Sequence, residues 1–119
     1  MKKTLSLKEP REFQKAINKG NWYGGNLIST YILSNSDISY KTNFIGLAIG
    51  KKVGKATKRN KVKRIIRAAN YSLEEKIINN EKWYTFVFVW RSKANFDDLN
   101  FETIRRDIER AFKKAGLLR

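Results

Sequence analysis

The chain reads KKVGKATKRNKVKRIIR from Lys51 to Arg67, and this stretch carries the clearest structural signal in its 119 residues. Nine of the seventeen residues are Lys or Arg, and the wider window from Ile38 to Leu73 contains no acid. A basic run without apolar spacing would repel itself and stay disordered. Here the apolar residues recur at steps of four, three, four and four, at Val62, Ile66, Ala69, Leu73 and Ile77. That period is typical of one helix face and predicts a helix over about 58–79.

The basic side chains of this predicted helix lie opposite its apolar stripe. At about 100° per residue, the opposite side carries five polar residues: Asn60, Lys63, Arg64, Arg67 and Tyr71. Ordinary exposed helix faces mix signs because opposite charges pair at i,i+4, whereas this side meets no acid until Glu74. A solvated face without a partner is the simpler interpretation. A rigid row of cations free of acids instead favours nucleic-acid phosphates, and the Gly/Lys loop over 50–58 leads into the helix N-terminus, which also favours phosphate.

The composition agrees with an anionic macromolecular partner and excludes several kinds of site and protein, among them disulfide-bonded and membrane-spanning proteins. The formal net charge is +15 and the isoelectric point is about 10.2. The length predicts one domain over residues 1–119, and 41% hydrophobic residues argue against wholesale disorder. The absence of Cys and His removes disulfides, thiolate metal sites and the commonest general base. No stretch approaches a membrane span or the apolar run of a signal peptide, so we expect a cytoplasmic protein with no membrane partner.

The rest of the chain predicts a mixture of helices and strands. Ser6 and Glu9 have the spacing of a capping box, and they precede a helix that Gly20 would end. The other predicted elements are strands at 27–33, 44–49 and 83–90, a possible short strand within 21–26, and a last helix that Asn100 caps. Elements in this order indicate an α+β sandwich, in which helices pack on one sheet. The continuous apolar strand at 83–90 is expected to be central and covered on both faces.

Two sequence features could indicate that the protein itself is a catalyst, but neither matches the motif that such a site requires. In GLAIGKK, Gly46 and Gly50 enclose three residues, whereas a P-loop has four between its glycines. Lys51 is then followed by Lys52 rather than by Ser or Thr. The acidic pair Asp97–Asp98 would need further carboxylates to bind a metal, so a capped surface turn is the favoured interpretation. We therefore predict no catalytic residue and no metal site in this chain.

Aromatic and large apolar residues near the N-terminus could stack on unpaired bases. These candidates are Phe13, Ile17, Trp22, Tyr23 and Tyr31. For each of them, packing in the core is the favoured alternative. Tyr31 is the exception, because its hydroxyl suits a strand face that lines a cleft.

The stretch GLAIGKKVGKATKRNKVKRIIR resembles the bacterial ribonuclease P protein subunit family. That family has a strand ending in paired lysines, a V-G-x-A loop and an Arg-Asn-Arg signature that opens a basic helix. The signature here begins at Arg59, with Lys61 in place of its final Arg. The family's N-terminal D/E-F-x-K pattern is matched by Glu12–Lys15, and its Tyr-bearing strand by Tyr31. One turn into the N-terminal helix, the chain has Ile17 where the family commonly has an aromatic residue. The resemblance covers essentially the whole chain.

The resemblance implies an αβββαβα sandwich with one mixed sheet and a left-handed βαβ crossover. It implies a subunit that joins a catalytic RNA, which cleaves the 5′ leader from precursor tRNA. Catalysis and Mg²⁺ then belong to the RNA, and the protein alone binds no cofactor and needs no protein partner. The implied RNA-subunit face is Lys51, Lys52, Arg59, Asn60, Lys61, Lys63, Arg64 and Arg67. The implied leader-binding cleft is Phe13, Ile17 and Tyr31.

Two other classes of protein share the basic composition. A ribosomal or ribosome-associated RNA-binding protein would have the same charge and the same α+β architecture. A DNA-binding protein is the third possibility, although no helix-turn-helix pair precedes the basic helix. The RNA or DNA that co-purifies with the chain would distinguish the three.

Overall fold

The computed structural model of the chain describes residues 4–35, 42–50, 53–77 and 83–118. The strands are β1 (Leu5–Ser6), β2 (Asn21–Gly24), β3 (Ile28–Asn35), β4 (Phe44–Ala48) and β5 (Trp83–Trp90). The helices are α1 (Pro10–Lys19), α2 (Ala56–Glu74) and α3 (Phe101–Lys114), with a 3₁₀ turn at Phe96–Asp98. The predicted αβββαβα order is confirmed, with the short strand β1 added before α1. The polar segment 35–42 between β3 and β4, which the sequence predicts as a turn, lies mostly outside the described residues.

The five strands form one mixed sheet in the order β1-β4-β5-β3-β2. Strand β5 is central, parallel to β4 on one side and antiparallel to β3 on the other. Its side chains alternate between the two faces of the sheet, and Phe86, Val87 and Phe88 are all fully buried. The prediction of a central strand covered on both faces is thus confirmed. The connection from β4 through α2 to the parallel strand β5 is the βαβ crossover that the family implies, and its hand stays a prediction.

The main core lies between the sheet and the pair α2 and α3. The apolar stripe predicted for α2 is buried at Val62, Ile66, Ala69 and Leu73. From α3, Phe112 packs against Phe86 of β5 with ring centroids 4.9 Å apart. Asn100 caps α3 as predicted, because its side-chain oxygen accepts from the backbone N–H of Thr103 at 2.8 Å.

Helix α1 covers part of the opposite face of the sheet, where it contacts β3 and β5. The ring of Phe13 lies directly over Gly46 of β4. A Cβ atom at Gly46 would come within 2.6 Å of that ring, so the absence of a side chain there lets α1 approach the sheet. Helix α1 and the pair α2 and α3 therefore sandwich the sheet, which confirms the predicted α+β architecture.

The predicted capping box at the start of α1 is wrong. Glu9 is the N-cap but makes no side-chain capping bond, and Pro10 occupies the first turn. Ser6 belongs to β1, which pairs in parallel with β4, and its hydroxyl accepts a hydrogen bond from Arg67 at 3.0 Å. A local spacing rule could not show this, because the partners of Ser6 lie about forty and sixty residues away in sequence.

A buried polar cluster fixes the end of α2 against the strands. The Glu74 carboxylate accepts hydrogen bonds from the Thr4 hydroxyl and from the side-chain amide of Asn43. The amide oxygen of Asn43 in turn accepts from the backbone N–H of Tyr84 at 2.8 Å. Because Glu74 is used inside the fold, the first acid after the basic run does not neutralise the outer side of the helix.

Candidate nucleic-acid interface

The outer side of α2 carries an exposed row of cationic and polar side chains. We call it the basic face, and its described members are Arg59, Asn60, Lys61, Lys63, Arg64 and Arg67. Asn60, Lys61, Arg64 and Arg67 are exposed, and Lys63 and Arg59 are half-buried. The first turn of α2 contains no acid, and its N-cap, Lys55, makes no side-chain capping bond. The helix therefore presents its basic side chains and its positive dipole end in the same region. Lys51 and Lys52, also predicted for this face, lie outside the described residues.

The first turns of α2, at the start of the basic face, pack against an aromatic ring that no sequence pattern indicated. Phe96 lies in the 3₁₀ turn after β5, with the ammonium group of Lys58 4.9 Å and that of Lys61 6.0 Å from its ring centroid. Both distances fall in the range of cation–π attraction. Two flexible lysines of α2 are thus positioned by Phe96. The sequence does show an aromatic residue beside Asp97–Asp98, but no local pattern indicates that Phe96 contacts α2.

One turn beyond the basic face, α2 carries the exposed Tyr71. The negative charge of Glu75, and a hydrogen bond to it, raise the pKa of the exposed Tyr71 hydroxyl. Tyr71 therefore stays a neutral phenol at physiological pH. One turn earlier, Arg67 is held by Ser6 of β1 while staying exposed. The cationic part of the helix thus runs from its first turn to Arg67.

The second candidate surface is the sheet face beside α1. Strand pairing places Gly46, Val87, Tyr31 and Trp22 in one row across four neighbouring strands. Paired residues point to the same side, which is the side that Phe13 covers at Gly46. Val87 is fully buried, whereas Tyr31 is half-buried. The row therefore runs from the covered centre of the sheet to its open edge at β2.

The predicted cleft residues all lie at this surface. Phe13 and Ile17 are both half-buried and stand one turn apart on α1, so they share a side of the helix. Tyr31 stands on the strand face that α1 partly covers. The structure thus brings Phe13 and Tyr31 to the same side of the sheet, with α1 forming one wall. We call this surface the α1 cleft and define it by Phe13, Ile17 and Tyr31.

The prediction that Trp22 packs in the core is wrong. Trp22 is 54% exposed, because β2 is an edge strand of the sheet. Tyr23, the next residue, points to the other face and packs against the main core, as predicted. The alternation along β2 therefore separates a core aromatic from an exposed one.

The acidic pair Asp97–Asp98 forms the capped surface turn that was predicted. The side-chain oxygen of Asn95 accepts from the backbone N–H of Asp97 at 2.9 Å, and both acids are exposed. Within residues 4–35, 42–50, 53–77 and 83–118, no three His, Cys, Asp or Glu side chains are grouped so that they could hold a metal ion. None of the described helices has the length and apolar character needed to cross a membrane.

Comparison with known proteins decides the family. The ribonuclease P family model matches residues 1–116. The chain belongs to the ribonuclease P protein family. The ribonuclease P protein component of Clostridium botulinum strain Langeland is 32% identical over 116 residues, covering 97% of both chains. That of Shouchella clausii is 32% identical over 118 residues, covering 99% of this chain and 91% of the relative.

Solved ribonuclease P proteins have the same fold. The protein from Staphylococcus aureus superposes with a TM-score of 0.77, covering 98% of this chain and 100% of that chain at 24% identity. The protein from Thermotoga maritima gives a TM-score of 0.74, covering 92% of this chain and 96% of that chain at 24% identity. At this identity the structures support the fold alone. The sequence relatives favour a ribonuclease P protein over the ribosomal alternative.

Proposed function

We propose that the chain is a single RNA-binding domain over residues 1–119 and acts as the protein subunit of a cytoplasmic ribonuclease P. In this proposal it assists a catalytic RNA in removing the 5′ leader from precursor tRNA. The observation that carries it is the acid-free basic face of α2, exposed on a chain of the ribonuclease P family. A net charge of +15 would strengthen the attraction to any RNA.

The proposal assigns different RNA segments to the two faces of the sheet. The basic face, with Lys51 and Lys52, contacts phosphates of the RNA subunit, because each Lys or Arg that neutralises a phosphate releases condensed counterions. The α1 cleft holds the unpaired leader, since aromatic side chains stack on bases of any sequence. Helix α2 packs on one side of the sheet and α1 on the other. This arrangement supports simultaneous binding of the RNA subunit and the substrate.

The protein alone should not cleave precursor tRNA. Phosphoryl transfer needs bound metal ions or a positioned base, and the described residues provide no metal cage. In the proposed holoenzyme, Mg²⁺ held by the catalytic RNA supplies that chemistry. We expect no 5′ cleavage when the purified chain is incubated with precursor tRNA and Mg²⁺, and cleavage once the RNA subunit is added. Specific cleavage by nuclease-treated, RNA-free protein would contradict this division of roles, and failure of any RNA subunit to restore cleavage would contradict the proposed function.

Replacing Tyr31 with alanine should weaken binding of precursor tRNA to the holoenzyme about tenfold. Loss of one aromatic platform costs roughly 1–3 kcal/mol per stacked base, and about 1.4 kcal/mol corresponds to one decade in Kd. Mature tRNA has no leader, so its affinity should not change. Binding titrations with both RNAs measure the effect.

Two controls separate a role in the cleft from a role in packing. Tyr31→Phe keeps the ring and should retain most of the affinity. A purely structural Tyr31 would instead give Tyr31→Ala a lower melting temperature and equal losses for both tRNAs. That result would remove Tyr31 from the α1 cleft.

A further inference from the structure

Trp22 forms an aromatic surface outside the α1 cleft, and the fold holds it in a fixed place. In the antiparallel pair of β2 and β3, Trp22 lies directly opposite Tyr31, so their Cβ atoms are about 4.5–5.5 Å apart on one side of the sheet. The indole lies along its own strand over Gly24, where an added Cβ would be 2.7 Å from the ring. A side chain at Gly24 would displace the ring. The glycine therefore permits the flat orientation that leaves the indole 54% exposed.

A guanidinium group completes this surface. Arg91, the residue after β5, lies with its charged carbon 5.9 Å from the Trp22 ring centroid. The guanidinium donates a hydrogen bond to the backbone carbonyl of Gly25 in the β2–β3 turn, while the side chain as a whole stays exposed. This bond holds the cation beside the indole. Because only part of the guanidinium is used, its remaining N–H groups can bind a phosphate.

We propose that Trp22 and Arg91 form a second nucleotide site, which extends the α1 cleft by one unpaired nucleotide toward the β2 edge of the sheet. The base stacks on the Trp22 indole, and a flanking phosphate pairs with Arg91. The inference rests on the proposed function, because it assumes that single-stranded RNA occupies the cleft at Tyr31. Two aromatic platforms side by side can each take one base of the same unpaired strand, because stacking on an aromatic ring tolerates any base.

Charge favours RNA over a second copy of the chain at this site. The chain carries +15, and the exposed ring is flanked by a cation. A second copy would bring a like-charged surface against Arg91, whereas a phosphate chain offers the opposite charge. Arginine beside an aromatic ring is also a common arrangement in proteins that bind single-stranded nucleic acid.

The test uses the holoenzyme, precursor tRNAs with long leaders, and mature tRNA. A matched pair of variants separates aromatic stacking from apolar contact. Trp22→Leu keeps an apolar side chain over Gly24, and Trp22→Phe keeps an aromatic one. We expect Trp22→Leu to weaken precursor binding about tenfold and Trp22→Phe to lose much less. Arg91→Gln should weaken precursor binding and also flatten its salt dependence, because one phosphate contact is lost. Mature tRNA should bind all three variants like the parent.

Tyr31→Ala, measured in parallel, separates failure of this inference from failure of the proposed function. Loss of precursor affinity in Tyr31→Ala with parental binding by Trp22→Leu would overturn the second site and leave the α1 cleft intact. Parental binding by both variants would defeat the cleft and, with it, this inference. If Trp22→Leu instead changes the sedimentation behaviour of the free protein without changing precursor affinity, the ring is a protein contact and the inference is wrong. Melting curves of each variant verify folding, and Arg91→Gln provides the test if Trp22→Leu is unstable.

Discussion

Replacing Asp107 with alanine should lower the free energy of unfolding by about 3–5 kcal/mol. Asp107 of α3 is 3% exposed, and its carboxylate accepts three backbone hydrogen bonds from the β2–β3 turn and the first residue of β3. The donors are the N–H groups of Asn26 at 2.9 Å, Leu27 at 2.8 Å and Ile28 at 3.2 Å. Alanine would leave these donors without their acceptor in a largely buried place. For a chain of this length, the melting temperature should fall by about 10–20 °C.

Two variants control this experiment. Asp107→Asn keeps one acceptor oxygen and should cost clearly less than alanine, because part of the bonding survives. Asp97→Ala removes an exposed acid of equal charge and should cost about 1 kcal/mol or less. Denaturant unfolding of the three variants measures the differences. A loss below about 1 kcal/mol for Asp107→Ala would mean that water or a rearranged turn replaces the carboxylate.

The double substitution Arg64→Ala and Arg67→Ala should produce the largest loss of RNA affinity. Both side chains are exposed on the basic face and separated by one helical turn. Each phosphate contact adds about −0.7 to −0.9 to the slope of log K against log salt, so the slope should flatten by about 1 to 2 units. If the electrostatic contribution vanishes near 1 M salt, binding at 0.1 M should weaken about 10- to 100-fold. Filter-binding titrations with the RNA subunit across a salt series measure both quantities.

The matched control removes the same charge from another helix. Arg106 and Arg110 are exposed on α3, one turn apart, like the pair on α2. Arg106→Ala with Arg110→Ala should change the slope much less, because only the long-range field is reduced. Equal flattening by both double variants would show that net charge rather than the basic face drives binding. An unchanged slope in the α2 variant would remove this helix from the interface.

Sequence patterns alone predicted the elements whose signals are local. The apolar steps from Val62 to Leu73 predicted both the helix and its buried side, because helical geometry places such residues on one face whatever they pack against. The apolar run Trp83–Trp90 predicted a central strand, because only a strand covered on both faces can be apolar along its whole length. Asn100 marked the start of α3, since a side-chain cap depends on neighbouring residues only.

The basic face could also be predicted, because charge and helical period are both properties of the sequence. The α1 cleft could be predicted only in part. Its residues were among the stacking candidates, but their grouping into one cleft came from the resemblance to the ribonuclease P family. Whether Phe13 and Tyr31 share a side of the sheet depends on the pairing of three strands that are distant in sequence. A one-residue shift in that pairing would send Tyr31 to the other face.

Tertiary structure alone decided several features that bear on function. Strand β1 exists because β4 pairs with it, and Trp22 is exposed because β2 is at the edge of the sheet. Phe96 holds two lysines of α2 from another part of the chain. Asp107 was detectable only as an acid within the apolar stripe of α3, and its partners are about eighty residues away. Periodicity shows which side of a helix or strand is apolar. Long-range pairing determines what that side packs against and which side chains remain exposed.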